Sequence, residues 1–252
     1  MFRKKPAKPL TKEVLLKVDT LDVPVRIVRE HRNSIRFAVG KSALLVRVPH
    51  FLSDREEERQ MERLQHWAHQ QFRRHPNIRE RFQPFQYKTG DELRVGTRTY
   101  PLHVTFEDRA SHRASLKNRD IYLTLSEMEH PLALAKATRR LLSRVVAADF
   151  LPEIRKRVFE LNDLYFQQPI QDVRLKYNST NWGSCSAGRN INLSTRLLFA
   201  PDDVRDYVII HELAHLVELN HSDRFWKLVS EVMPDYEEKE KWLRKNGHLC
   251  EF

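Results

Sequence analysis

The chain has 252 residues, 40% hydrophobic and 31% charged, a balance that excludes a disordered or fibrous protein and suits one large domain or two small ones. Two cysteines exclude a disulfide framework, and no apolar run approaches the length of a membrane span. The formal charge of +10 is lopsided: residues 201–252 hold seven Lys/Arg against twelve Asp/Glu, a net −5, so the first 200 residues carry +15. A basic body attracts nucleic acid or nucleotide. Here the cations are scattered, with no arginine-rich run or stacked-aromatic motif of a nucleic-acid module.

Residues 1–12 are rich in Lys and Pro and read as a loose basic tail. Their opening, Met1-Phe2-Arg3-Lys4-Lys5-Pro6, lacks the apolar segment of a secretory signal, so a cytoplasmic protein with reduced thiols is expected. Strands follow at about 13–18, 22–30, 34–39 and 43–48, each mixing apolar β-branched residues with charged ones. Pro24 argues that the second strand begins there or lies at an edge. Gly40-Lys41-Ser42 predicts a hairpin turn. Ser53-x-x-Glu56 is a capping box for a helix to about residue 74, with Met61, Leu64, Ala68 and Phe72 inward and Pro76 as its stop. His66, His69 and His75 read as surface residues, because no clear third ligand accompanies them.

Strands are expected again at 92–96, 99–107, 112–117 and 120–125. Residues 13–125 thus form a β-rich N-terminal region with one helix, and 131–252 a second region. Pro131 opens a long helix to about 166, with Pro152 as a candidate bend. Residues 172–178 and 189–195 read as neighbouring strands around a Trp182-Gly183-Ser184-Cys185 loop. Helices are then expected at 202–219 and 222–232, with Asp235-x-x-Glu238 capping a last one.

The helix at 202–219 carries the chemistry. His211-Glu212-Leu213-Ala214-His215, with His221 six residues on, places two imidazoles four residues apart on one helical face, where both reach one metal ion. Glu212 can reach a metal-bound water without ligating the metal. His221 supplies a third nitrogen if the chain turns, and three protein ligands leave a fourth position open, as in catalytic zinc sites. Ile209, Leu213, Leu216 and Val217 form the buried stripe, and the histidines fall on another face. Metzincins use the same spacing with Gly three residues after the second His. Here that position is Glu218, so Asn220, which tolerates the left-handed conformation, is the expected bend. Ser222 is the expected cap of the next helix. Glu218 reads either as an imidazole-orienting partner or as a surface carboxylate. Cys185 reads as a small hydrophobe ahead of a ligand or nucleophile.

Trp182-Gly183-Ser184-Cys185, Ile191-Asn192-Leu193, Pro201, Tyr207 to Leu216, Asn220-His221-Ser222, Phe225-Trp226 and Pro234-Asp235-Tyr236 closely resemble the YgjP-like metallopeptidase family, long known as a domain of unknown function. The His-x3-Phe-Trp ending also resembles the WLM-domain and, more distantly, the SprT-like metalloproteases. The close match covers roughly 172–245. It implies a zinc (Zn2+) held by His211, His215 and His221, with Glu212 as general base. Asn181 stands where the family usually has Arg, which puts that residue's role in doubt here.

These readings converge on an α+β protein, a β-rich N-terminal region joined to a zincin-like metallopeptidase half. The expected activity is zinc-dependent hydrolysis of a polypeptide, one zinc per chain, with no membrane partner. An extended substrate would pair with a strand edge, expected at 189–195. Asn181, Tyr207 and Tyr236 are candidates to stabilise the oxyanion. Two alternatives stand: hydrolysis of a nucleotide phosphoanhydride, with phosphates held by N-terminal cations, and a nucleic-acid-associated WLM-like protease.

Overall fold

The computed structural model describes residues 10–40, 42–80, 82–83 and 86–252. The fold is α+β, and the chain divides into two compact units at Phe85/Gln86. In the first, β1 (Leu10–Val18), β2 (Leu21–Glu30), β3 (Arg36–Val39) and β4 (Leu44–Pro49) form a sheet in the order β1-β2-β4-β3. Val23, Val25 and Ile27 alternate inward along β2, as do Leu44, Val46 and Val48 along β4. Against them packs α1 (Asp54–Arg74), where Leu64, Ala68 and Phe72 recur at helical spacing and are buried, while Met61 is half-buried. Ser53 caps this helix by accepting the Glu56 N–H at 3.3 Å. The short α2 (Pro76–Glu80) begins where Pro76 forbids continuation.

Three expectations change here. Residues 10–12 belong to β1 rather than to a tail, because they complete its pairing with β2; residues 1–9 lie outside the described residues. Strand β2 is interior, not an edge. Pro24 is tolerated because the parallel ladder to β4 starts only at Val25, so its missing N–H is not called upon. At the expected hairpin, the Gly40 N–H donates to the Ala43 carbonyl at 2.9 Å; Lys41 lies outside the described residues.

In the second unit, β5 (Glu92–Val95), β6 (Arg98–Glu107), β7 (Arg113–Lys117) and β8 (Asp120–Ser126) form a sheet in the order β5-β6-β8-β7. Its Leu93, Val95, Tyr100, Leu102, Ile121, Leu123 and Leu125 share one core with α3 (Pro131–Tyr165). Buried positions along α3 recur every three or four residues, through Thr138, Leu142, Val146, Phe150, Ile154 and Val158 to Leu161. The helix is unbroken at Pro152. The sheet is fixed to it by Asp149, which accepts from Arg98 Nη1 at 2.9 Å and from the Tyr100 hydroxyl at 2.6 Å. Residues 92–126 therefore belong with the C-terminal region. Grouping 13–125 together follows from shared β character, but the apolar faces of β5–β8 are covered by α3.

A second sheet joins β9 (Asp172–Lys176), β10 (Gly183–Cys185) and β11 (Asn190–Ser194) in the order β10-β11-β9. Here too the structure corrects the reading: 189–195 is not the edge. β11 lies between β9 and a short strand made by Gly183-Ser184-Cys185, so β10 is the edge on that side. Three helices complete the unit, α4 (Asp202–Ala214), α5 (Asp223–Val232) and α6 (Tyr236–Asn246). Asp235 occupies the cap of α6 but makes no side-chain cap bond; its carboxylate pairs with Lys239 at 2.9 Å instead. Among the described residues no helix is long and apolar enough to cross a membrane.

Candidate active site

Helix α4 is buried on most of its circumference. Val204, Tyr207, Val208, Ile209, Ile210, Leu213 and Ala214 are all inside, which holds the helix rigidly and leaves His211 half-exposed. The helix ends earlier than the periodicity predicts, with His215 at its C-cap. Two short turns follow, Leu216 N–H to the Leu213 carbonyl at 2.9 Å and Val217 N–H to Ala214 at 3.0 Å. Val217 is consequently 50% exposed rather than part of the buried stripe. Asn220 is not among the left-handed residues; the reversal is made by these tightened turns and by a Ser222 N–H to Asn220 carbonyl bond at 2.8 Å. Ser222 caps α5 as expected, accepting from the Phe225 N–H at 3.4 Å.

This path brings the three histidines together. One ring nitrogen from each of His211, His215 and His221 lies within 4.8 Å of the others, and Nε2 of His211 is 3.0 Å from Nε2 of His221. His215 Nδ1 donates to the Glu218 backbone carbonyl at 3.1 Å, which fixes the tautomer that leaves Nε2 unprotonated. Glu218 thus orients an imidazole through its main chain, while its carboxylate lies 3.8 Å from Arg224. Burial and the two neighbouring imidazoles depress His211 to about 4, and burial is the main cause of the lowering at His215. Three imidazole nitrogens converging on one point, two of them held toward the neutral form, fit a metal of the zinc class.

Packing beneath the cluster comes from residues that metal-ligand spacing does not reveal. Phe225 is fully buried; its ring stacks on His215 at 4.5 Å and meets His211 and His221 edge-on at 4.9 and 4.8 Å. Trp226 stacks on His221 at 5.7 Å and on Tyr236 at 5.3 Å. The signal for both was the His-x3-Phe-Trp spacing, which puts two rings on the first turn of α5.

Glu212 is 5% exposed. Burial raises it to about 7, opposed by a hydrogen bond that its carboxylate accepts from the Cys185 backbone N–H. The same strand gives it room: a Cβ on Gly183 would stand 2.5 Å from Glu212 Oε1. The register of β10 on β11 explains which groups face this way. The Ser194 N–H donates to Trp182 and the Ser186 N–H to Asn190, so Ser184 is paired inward and the backbone groups of Gly183 and Cys185 point away from β11. Burial and the Glu212 carboxylate push the Cys185 thiol up to about 11, which leaves it protonated, and it is outside the histidine cluster.

Beside His211 and Glu212 opens a cavity of about 400 Å³, walled by Trp182, Tyr207, Val208 and Leu243, with Glu240 and Arg244 also lining it. Of the oxyanion candidates, Tyr207 lines this cavity; Asn181 and Tyr236 do not. Burial is the main cause of the rise of Tyr207 to about 12, so its hydroxyl keeps its proton.

Among solved structures, the metallopeptidase zymogen abylysin of Pyrococcus abyssi is 26% identical, covering 36% of this chain and 93% of its own, with a TM-score of 0.34. The zymogen jannalysin of Methanocaldococcus jannaschii is 20% identical over 36% of this chain and 94% of its own, with a TM-score of 0.33. No curated protein matches the chain. The model of the YgjP-like metallopeptidase domain matches residues 33–246, most of both units and the whole histidine cluster, and the chain belongs to that family.

Proposed function

We propose that this metallopeptidase is a zinc peptidase in which His211, His215 and His221 hold the ion and Glu212 is the general base. The carrying observation is the convergence of three imidazoles beside a buried carboxylate and the edge strand β10. When bound, the metal supplies Lewis acidity that acidifies a water and polarises the scissile carbonyl. Glu212 takes the proton of that water at its carboxylate and returns it to the leaving amine nitrogen, a task suited to a group tuned near 7. The outward N–H and carbonyl of Gly183 and the outward carbonyl of Cys185, whose N–H is held by Glu212, pair with an extended peptide and set its carbonyl over the histidines. Tyr207, protonated and on the cavity wall, is the candidate donor to the developing oxyanion.

Hydrolysis of a phosphoanhydride calls for several cations converging on the metal. The cavity beside His211 and Glu212 holds one, Arg244, already paired with Glu240 at 2.9 Å, which favours the peptide. The test is elemental analysis joined to turnover. The parent carries about one zinc per chain, and His211→Ala or His221→Ala loses it. Glu212→Gln keeps zinc and fold but loses about 10²–10⁴ in turnover of unfolded polypeptide. Full zinc in both histidine variants, or parental turnover in Glu212→Gln, overturns the assignment, and Glu212-dependent release of phosphate from nucleoside triphosphates without peptide cleavage promotes the rival.

A further inference from the structure

The cavity beside Glu212 has a construction that the hydrolytic step does not require. One wall is the Trp182 indole, clamped in place: the Arg196 guanidinium lies 4.4 Å over its ring, and Gly247 lets the chain approach so closely that a Cβ there would stand 2.6 Å from the indole. Arg196 is itself anchored by donating to the carbonyls of Cys250 at 2.9 Å and Ser179 at 3.3 Å, and to that of Gly247. Further walls are Tyr207 and Val208 of α4 and Leu243 of α6, all buried. Glu240, Leu243 and Arg244, spaced three and four apart, share one face of α6 and bring a mutually neutralised ion pair to the cavity. The two charged side chains are 47% and 75% exposed, so they form its rim rather than its floor.

From this geometry we infer that the cavity is the pocket that selects the substrate residue next to the scissile bond, and that it takes a large uncharged apolar side chain, aromatic or branched aliphatic, with Trp182 and Leu243 as specificity-determining residues. The reading rests on the peptidase assignment above. Three observations carry it. The cavity shares His211 and Glu212 with the reacting centre, so its occupant lies within one residue of the bond to be cut. Its walls away from His211 and Glu212 are aromatic and aliphatic, and desolvating an apolar side chain against them is favourable, whereas a charged one would lose its hydration there. The rim pair is mutually neutralised, so it presents no net charge that would favour a Lys or an Asp.

A matched series of peptide hydroxamates that chelate zinc, differing only in the adjacent side chain (Gly, Leu, Phe, Lys, Asp), is titrated calorimetrically into the zinc-loaded chain. Phe and Leu members are expected to bind about tenfold to a hundredfold more tightly than Gly, the range that burial of such a side chain provides. Leu243→Trp, which fills the cavity, brings the Phe and Leu members down to the affinity of the Gly member. The rim variant Arg244→Glu, at an exposed position, shifts preference toward Lys by placing two carboxylates at the mouth. Equal affinity across the series, or an apolar advantage that survives Leu243→Trp while Arg244→Glu leaves the Lys member unmoved, overturns the inference. Turnover is followed separately. Apolar selection in binding without Glu212-dependent peptide cleavage removes the peptidase mechanism and keeps the pocket; cleavage with flat selection removes the pocket and keeps the mechanism.

Discussion

Gly183 shows how much of the site is decided by a single atom. Its backbone angles do not call for glycine; the requirement comes from the Glu212 side chain, whose Oε1, Cγ and Cδ would stand 2.5–2.8 Å from a Cβ at that position. Gly183→Ala is therefore expected to push the Glu212 carboxylate aside rather than to unfold the strand. Peptide turnover should fall about tenfold to a hundredfold, part of what a general base contributes, through kcat more than KM, with zinc content at the parental level because no histidine moves. Parental kcat in this variant would show that Glu212 does not depend on this packing. Cys185 next to it serves through its main chain, which donates to Glu212, and its protonated thiol is a spectator.

At the scale of elements, the place of His221, the proposed third ligand, depends on how α4 ends and α5 begins. Leu213 and Ala214 carbonyls accept the N–H groups of Leu216, Val217 and Glu218, which stops the helix, and the Ser222 cap starts the next one immediately after His221. His221 is thus held between a helix stop and a helix start, with Phe225 and Trp226 of the first turn of α5 against its ring. Ser222→Ala leaves the Phe225 N–H without its side-chain acceptor and is expected to cost about 1 kcal/mol. Because the frayed end adjoins a proposed ligand, zinc affinity should drop by more than in a control cap variant such as Ser53→Ala in α1, read by competition with a chromogenic chelator. Equal zinc affinity in Ser222→Ala and the parent would show that the aromatic packing alone holds His221.

At the scale of the molecule, the division at Phe85/Gln86 matters because each unit has its own core. Val18 to Phe82 supply one cluster and Leu93 to Phe252 the other. A fragment comprising residues 86–252 is expected to fold cooperatively and bind about one zinc. A fragment comprising 131–252, cut where β character gives way to helix, loses Tyr100, Leu102, Ile121 and Leu123 from the core and exposes the apolar face of α3. At about 1.5–3 kcal/mol for each large side chain, that loss is comparable with the whole stability of an ordinary domain, and no cooperative transition is expected by calorimetry. A cooperative melt of 131–252, or a failure of 86–252 to fold, would place the boundary elsewhere. The positive charge of the first 200 residues is partly consumed inside these units. Arg29 pairs with Glu57, Arg98 with Asp149, Arg155 with Asp172 and Arg157 with Asp206, so those cations are tied to carboxylates and not displayed as a stripe.

Most strands and helices and the identity of the clustered histidines were legible in the linear chain, because each depends on local spacing: apolar positions alternating in β2 and β4, recurring every three to four residues in α1 and α3, and His-x3-His on α4. Features that depend on which strand lies beside which were not. Pro24 reads as an edge signal until the register shows β4 pairing only from Val25, and 189–195 reads as the edge until three residues of an apparent loop pair outside it. The same is true of the histidine support. Spacing on a helix says which imidazoles can share an ion, but the Glu218 carbonyl reaches His215 only because α4 stops at Ala214, where tightened turns close it. Local sequence fixes the period of an element and the chemistry it carries; the partner that covers its faces and edges is chosen by burial summed over the whole chain, and this is why the Trp182 pocket and the place of β5–β8 appear only in the folded molecule.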